Sequence, residues 1–191
     1  LQGDKDFKTQ LTKIKGTNPE ALYIPNYVAE IAQILEQAKQ LGLKTKIYSA
    51  DGFSNPQIFE LAGDLSNGVI YTQAAEQPAS QIKKDFEAKY QAKWGEKPDA
   101  FSLNAYDGAK IILNAIKTTS SKGMSGVLKV DRDKVRDFVA KTKDYDGASG
   151  KITFTENGDL VVNIGIYTAE NKKFKQLKMF KLDGEKLVEI K

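Results

Sequence analysis

The hydrophobic positions of this chain change period several times, and the changes divide it into short elements. Ala21-Leu-Tyr-Ile24 is an apolar run behind the breaker Gly16-Thr-Asn-Pro19, and it reads as a short buried strand. Val28, Ile31, Ala32, Leu35 and Ala38 then recur at helical spacing, with Gly42 where a C-terminal cap is expected. A strand over Thr45 to Ser49, a short helix from Asn55-Pro56 through Leu61 and a strand over Gly68 to Thr72 follow. Upstream, Asp4 is placed to cap a helix over residues 5 to 14. Strands and helices alternating through short connections predict an α/β fold with a parallel sheet covered by helices.

From Pro78 the pattern turns helical. Ile82, Phe86, Tyr90 and Trp94 fall on one stripe at intervals of four, and core packing is the ordinary reason for such a stripe. A helix from about Asp99 to Lys117 follows, then the flexible Thr118-Thr-Ser-Ser-Lys-Gly123 stretch and a helix from a cap at Asp131 to about Lys141. Gly150 to Phe154 and Leu160 to Tyr167 flank the turn signal Glu156-Asn-Gly-Asp159, and two β segments near Lys173 to Lys181 and Lys186 to Ile190 end the chain.

With 40% hydrophobic residues among 191, the chain can bury a core, and no run approaches the 18 apolar residues of a membrane-spanning helix. It has neither cysteine nor histidine. That removes disulfides, thiolate and imidazole metal sites, cysteine nucleophiles and the Ser-His-Asp triad, so the expectation is no enzyme, no metal and no cofactor. The net charge of +4 comes almost wholly from dispersed lysines, Arg132 and Arg136 being the only arginines. Without a phosphate loop or an aromatic-basic stripe this argues against a nucleic-acid partner. Asp144-Tyr-Asp-Gly147 fails the calcium-loop pattern, because Ala148 occupies a position that needs an oxygen ligand.

Three stretches carry candidate chemistry. Residues 98 to 108, Pro-Asp-Ala-Phe-Ser-Leu-Asn-Ala-Tyr-Asp-Gly, follow Tyr90 and Trp94 and precede Ile111-Ile-Leu113; the other two are Tyr23-Ile-Pro-Asn-Tyr27 and Tyr48-Ser-Ala-Asp-Gly52. Asp51 follows a strand, where α/β sheets present ligand loops, although an aspartate before glycine is also a common turn pairing. Each tyrosine offers an apolar ring and a hydroxyl, suited to an amphiphilic ligand or to a half-buried core position.

These stretches, in this order, resemble the binding-site segments of the Leu/Ile/Val-binding family of solute receptors, which have the type I periplasmic-binding-protein fold of two lobes. The resemblance covers nearly all 191 residues and implies the C-terminal portion of that fold. It implies most of lobe 2 in residues 1–77, the C-terminal part of lobe 1 in 78–158, and a β-rich return to lobe 2 in 159–191, with crossovers near residues 75 to 78 and 155 to 162. It also implies that Asp51 pairs with the ligand's α-ammonium, that Tyr27 packs near that ammonium and that Tyr106 approaches from the opposing lobe. Tyr23 and Phe53 would be cleft-wall residues, and Asn26 and Ser49 would add polar contacts. The family's carboxylate-binding groups would lie before Leu1, as would any signal peptide or lipid anchor.

The function so implied is an extracytoplasmic solute-binding component of an ABC importer. Its partners would be a free amino acid, branched-chain or otherwise aliphatic, and an ABC permease in the cytoplasmic membrane. The alternatives are a ligand-sensing receptor of the same fold binding amino acids or amides, and an enzyme using Asp51 with lysine or tyrosine. Residues 78–158 would lack the sheet they normally cover, which predicts domain swapping, a homodimer contact, or a missing part that is disordered or cleaved.

Overall fold

A computed structural model describes residues 3–76, 78, 80–184 and 186–190. In chain order the helices are α1 (Lys8–Gly16), α2 (Val28–Gln40), α3 (Ile58–Leu61), α4 (Gln81–Trp94), α5 (Ala100–Thr119) and α6 (Arg132–Ala140). The strands are β1 (Ala21–Ile24), β2 (Lys46–Ser49), β3 (Ile70–Ala74), β4 (Ser121–Lys122), β5 (Leu128–Lys129), β6 (Tyr145–Asp146), β7 (Lys151–Ile152), β8 (Ile164–Glu170), β9 (Lys173–Asp183) and β10 (Lys186–Ile190). Two compact units result, one from Leu1–Ala75 with Val162–Lys191 and the other from Glu76–Val161. The crossover expected at residues 75 to 78 includes Gln77, which lies outside the described residues.

The first unit is built on a six-stranded sheet in the order β1-β2-β3-β8-β9-β10. The sheet is mixed rather than parallel throughout: β1, β2 and β3 run parallel, whereas β8, β9 and β10 join antiparallel. The β-rich end of the chain thus extends the α/β sheet by hairpins. Ile31, Leu35 and Ala38 of α2, with Leu11 of α1 and Ile58 of α3, bury against Ile24, Tyr71, Tyr167 and Ala169 on one sheet face. Tyr71 stacks on Tyr167 at 5.5 Å, and Phe53 and Phe174 close around Tyr71 at 5.2 and 5.5 Å. Strand residues of opposite parity, Tyr23, Tyr48, Ile70 and Ile166, stay exposed or half-buried, so no helix among the described residues of this unit closes that face.

Helix α1 begins later than Asp4 would dictate. Residues 3 to 7 instead lie along α2, where Gln37 accepts from the Phe7 N–H and donates to the Lys5 carbonyl, both at 2.7 Å, and Glu30 accepts from the Gly3 N–H at 2.8 Å. Buried polar groups on α2 need these partners, and meeting that need outweighs a local cap. Asp6 accepts from the Lys8 N–H at the helix entrance.

The second unit holds α4, α5 and α6 with two two-stranded ribbons, β4-β5 and β6-β7. Ser80, Asp99 and Asp131 each accept an N–H three residues on, capping α4, α5 and α6. The segments on either side of the turn at residues 156–159 meet through an isolated bridge, Phe154 to Leu160, with the Thr155 N–H donating to the Asp159 carbonyl and the Val161 N–H to the Thr153 carbonyl, while β7 pairs with β6 and β8 with β3. The stripe on α4 is not core either. None of its residues is buried, Trp94 is 62% exposed, and Phe86, Tyr90 and Trp94 form a ladder of tilted ring contacts along the surface. Ile112, Leu113, Val127 and Leu128 are likewise exposed.

Candidate ligand-binding site

The parallel register of β1 and β2 sets Tyr23 beside Tyr48 and Ile24 beside Ser49. The loops that leave the two strands therefore start from paired residues about 4.8 Å apart. The Ser49 hydroxyl is buried and donates to the Ile24 carbonyl at 2.7 Å, so it ties the strand ends together and is not available as a ligand contact. Beyond the strands, Gly52 packs so closely on Asn26 that an added β-carbon would collide with the Asn26 carbonyl oxygen. The 3-10 turn Asp51–Phe53 is closed by the Ser54 N–H and hydroxyl, both donating to the Asp51 carbonyl, at 2.8 and 2.7 Å.

Four of the seven expected site residues, Tyr23, Asn26, Tyr27 and Asp51, lie on the ledge at this end of β1 and β2 with exposed or half-buried side chains. Tyr23 and Tyr27 are 59% and 63% exposed, Asp51 is exposed and Asn26 half-buried. Tyr27 occupies the N-cap position of α2 and its carbonyl accepts from the Ile31 N–H at 2.9 Å, which fixes its backbone while the ring stays outside. An exposed carboxylate on a loop at the carboxyl end of parallel strands can take the cationic end of a small amphiphile. Phe53 is placed differently from expectation. It is 0% exposed and packs on Tyr71 and Phe174, so it supports the ledge from within the core and has no surface to offer a cleft.

Tyr106 belongs to the second unit. It is half-buried on α5, its ring 4.5 Å from Phe86 with the Lys110 ammonium 5.9 Å away. It lines a half-open cavity of about 300 Å³ together with Phe86, Asp107, Lys110 and Tyr145. Burial holds the Tyr145 phenol above its ordinary pKa, and Asp107 and Tyr106 add to the shift.

The sequence reading missed Asp107. It is 1% exposed, and its carboxylate accepts from the Ala148 N–H at 2.7 Å, the Ser149 N–H at 2.7 Å and the Ser149 hydroxyl at 2.6 Å. A signal was present: Leu103, Asp107, Ile111 and Ala115 follow at intervals of four, which sets a carboxylate on the buried line of α5. Among the described residues, no three histidine, cysteine, aspartate or glutamate side chains converge as a metal site.

A family model described as periplasmic binding protein matches residues 2–173. The chain belongs to the periplasmic binding protein family. A leucine-, isoleucine-, valine-, threonine- and alanine-binding protein of Pseudomonas aeruginosa is 32% identical over 162 residues, 83% of this chain and 40% of that relative. Among solved structures, a leucine binding protein from Thermotoga maritima aligns with TM-score 0.74 and 33% identity over 93% of this chain and 49% of its own. A branched-chain amino acid transporter substrate binding protein from Streptococcus pneumoniae, in complex with isoleucine, aligns with TM-score 0.69 and 28% identity over 100% of this chain and 50% of its own. This periplasmic binding protein chain thus has the type I fold of these relatives and spans about half their length or less.

Proposed function

We propose that the protein is the extracytoplasmic solute-binding component of an ABC importer for a branched-chain or other aliphatic amino acid. The observation that carries the reading is the ledge at the ends of β1 and β2, where the loop with exposed Asp51 is joined through Gly52 to the loop with Asn26 and exposed Tyr27. Asp51 takes the ligand's α-ammonium, a charge-assisted contact, and Tyr27 lays its ring along the apolar part beside it. Residues 1–77 and 159–191 act as one lobe and 78–158 as part of the other, which brings Tyr106 to the ligand when the lobes close. Ligand contacts made by both lobes favour the closed state. No bond of the ligand is made or broken, and the closed form delivers it to a permease in the cytoplasmic membrane. The protein is held outside that membrane, free or through a lipid anchor.

The transport and binding names of the relatives favour this reading over a sensory receptor of the same fold. Isothermal titration of leucine, isoleucine and valine into the protein extended to the length of its relatives tests it. Saturable binding of at least one, weakened tenfold to a hundredfold by Asp51→Ala as expected for a bond to a charged group, supports it. Binding unaffected by Asp51→Ala, or binding of none of the three, overturns it.

A further inference from the structure

Buried carboxylates are costly unless their oxygens are satisfied, and aspartates are seldom set on the buried line of a helix. Asp107 is both buried and threefold bonded, and every donor it meets comes from one place, the turn at Gly147–Gly150 that joins β6 to β7. The turn is shaped to receive it. Two successive N–H groups, of Ala148 and Ser149, converge on the carboxylate in the manner of an anion nest. The approach leaves no room at Gly147, where an added β-carbon would stand 2.5 Å from one carboxylate oxygen and 3.0 Å from the other. Gly147 and Gly150 also bond to each other, N–H of Gly147 to the Gly150 carbonyl at 2.9 Å, so the turn is held from inside and from α5.

What the turn carries gives the clamp its use. Tyr145 lies two residues before Gly147 on β6, and Tyr106 is the residue before Asp107 on α5. Both tyrosines line the same cavity, with Phe86 and Lys110. We propose that Asp107 is a positioning residue for ligand capture, its carboxylate pinning the β6–β7 turn to α5 so that Tyr145 and Tyr106 are held in register as walls of one pocket. Asp107 acts through the turn rather than as a ligand contact, since it is 1% exposed and its carboxylate accepts three bonds from Ala148 and Ser149. The role in capture rests on the proposed function, in which Tyr106 meets the ligand. The Tyr145 phenol lies above its ordinary value first through burial and then through the Asp107 charge.

The test has a structural arm on this chain and a binding arm on the protein extended to the length of its relatives. In the first, amide hydrogen exchange is measured at Ala148 and Ser149, with tyrosine ring signals assigned through Tyr106→Phe and Tyr145→Phe. Asp107→Asn keeps the side-chain shape but turns an amide NH₂ toward one donor. Exchange at both amides should rise roughly tenfold to a hundredfold, the range expected for losing a bond to a charged group, and the alkaline titration of Tyr145 should move toward its ordinary range. Ser149→Ala removes one donor of three and should give a smaller rise, which keeps the proposal open to refutation if Asp107→Asn does not fold. In the second arm, leucine affinity should fall at least about tenfold with Asp107→Asn while far-UV circular dichroism is unchanged.

Unchanged exchange in both variants overturns the clamp. Raised exchange with unchanged leucine affinity overturns the role in capture and leaves a purely structural contact. An extended protein that binds leucine, isoleucine and valine not at all removes the proposed function and the capture role with it, while the exchange data still decide the clamp.

Discussion

The α-carbon of Gly52 lies against the carbonyl oxygen of Asn26 with no space for a side chain between them. This contact joins the loop carrying Tyr27 to the loop carrying Asp51, and it exists only because position 52 has no β-carbon. Gly52 does not have a left-handed backbone, so the requirement is purely one of space. Gly52→Ala should therefore destabilise the first unit by about 1–3 kcal/mol, the usual cost of overpacking, and shift the urea midpoint down.

The core placement of Phe53 separates it from the exposed Tyr23 and Tyr27. Phe53→Ala should cost about 3–5 kcal/mol, as expected for a fully buried ring, through loss of its packing on Tyr71 and Phe174. Tyr23→Ala and Tyr27→Ala, at exposed rings, should each change stability by within about 0.5 kcal/mol. Chemical denaturation of the three variants checks the contrast, and a mild Phe53→Ala would return that residue to the cleft wall.

The second unit should weaken in alkali through Tyr145. Its folded pKa is raised, so the fold favours the protonated phenol. That contribution is fully present below the unfolded tyrosine value of about 10 and is lost as the pH rises from there through the folded value. Tyr145→Phe should flatten the fall in stability over this window, measured by thermal unfolding at a series of alkaline pH values.

Trp94 is the only tryptophan, and it stands at the exposed end of the ring ladder on α4. Its fluorescence should resemble that of a solvated indole and be strongly quenched by acrylamide in this chain. A blue-shifted, quench-resistant emission at micromolar concentration would show that another surface covers it, and sedimentation velocity would identify a second copy.

Much of the fold could be read from periodicity. The strand Ala21–Ile24, though only Ile24 of it is buried, the helical spacing in α2, the helix start near Asp99 and the cap at Asp131 reappear in the structure, because each is set by residues close in sequence. What could not be read depends on distant partners. Helix α1 starts late because Gln37 and Glu30 claim the residues before it. The α4 stripe has the spacing of a core face, but spacing does not say whether anything covers it. Of the candidate site, the place of Asp51 after a strand marks a ligand loop or a turn, and it is the family resemblance that singles out Asp51, Tyr23 and Tyr27. Phe53 lies in the same short segment yet is buried in the core, and although the spacing on α5 marks Asp107 as buried, what it holds depends on partners 41 and 42 residues away.

The second unit leaves and rejoins the first at a single point of the sheet. Ala74 pairs with Ile164, and the Ala75 N–H donates to the Asn163 carbonyl at 2.8 Å. During synthesis, β3 must therefore wait for the whole of residues 76 to 161 to emerge before its antiparallel neighbour exists, a delay of several seconds at about 5–20 residues per second. Tyr71 has no Tyr167 to stack on until then. The first unit is thus completed only after residues 76 to 161 have emerged, and a nascent protein halted before Val162 would present an unfinished sheet to whatever chaperone meets it.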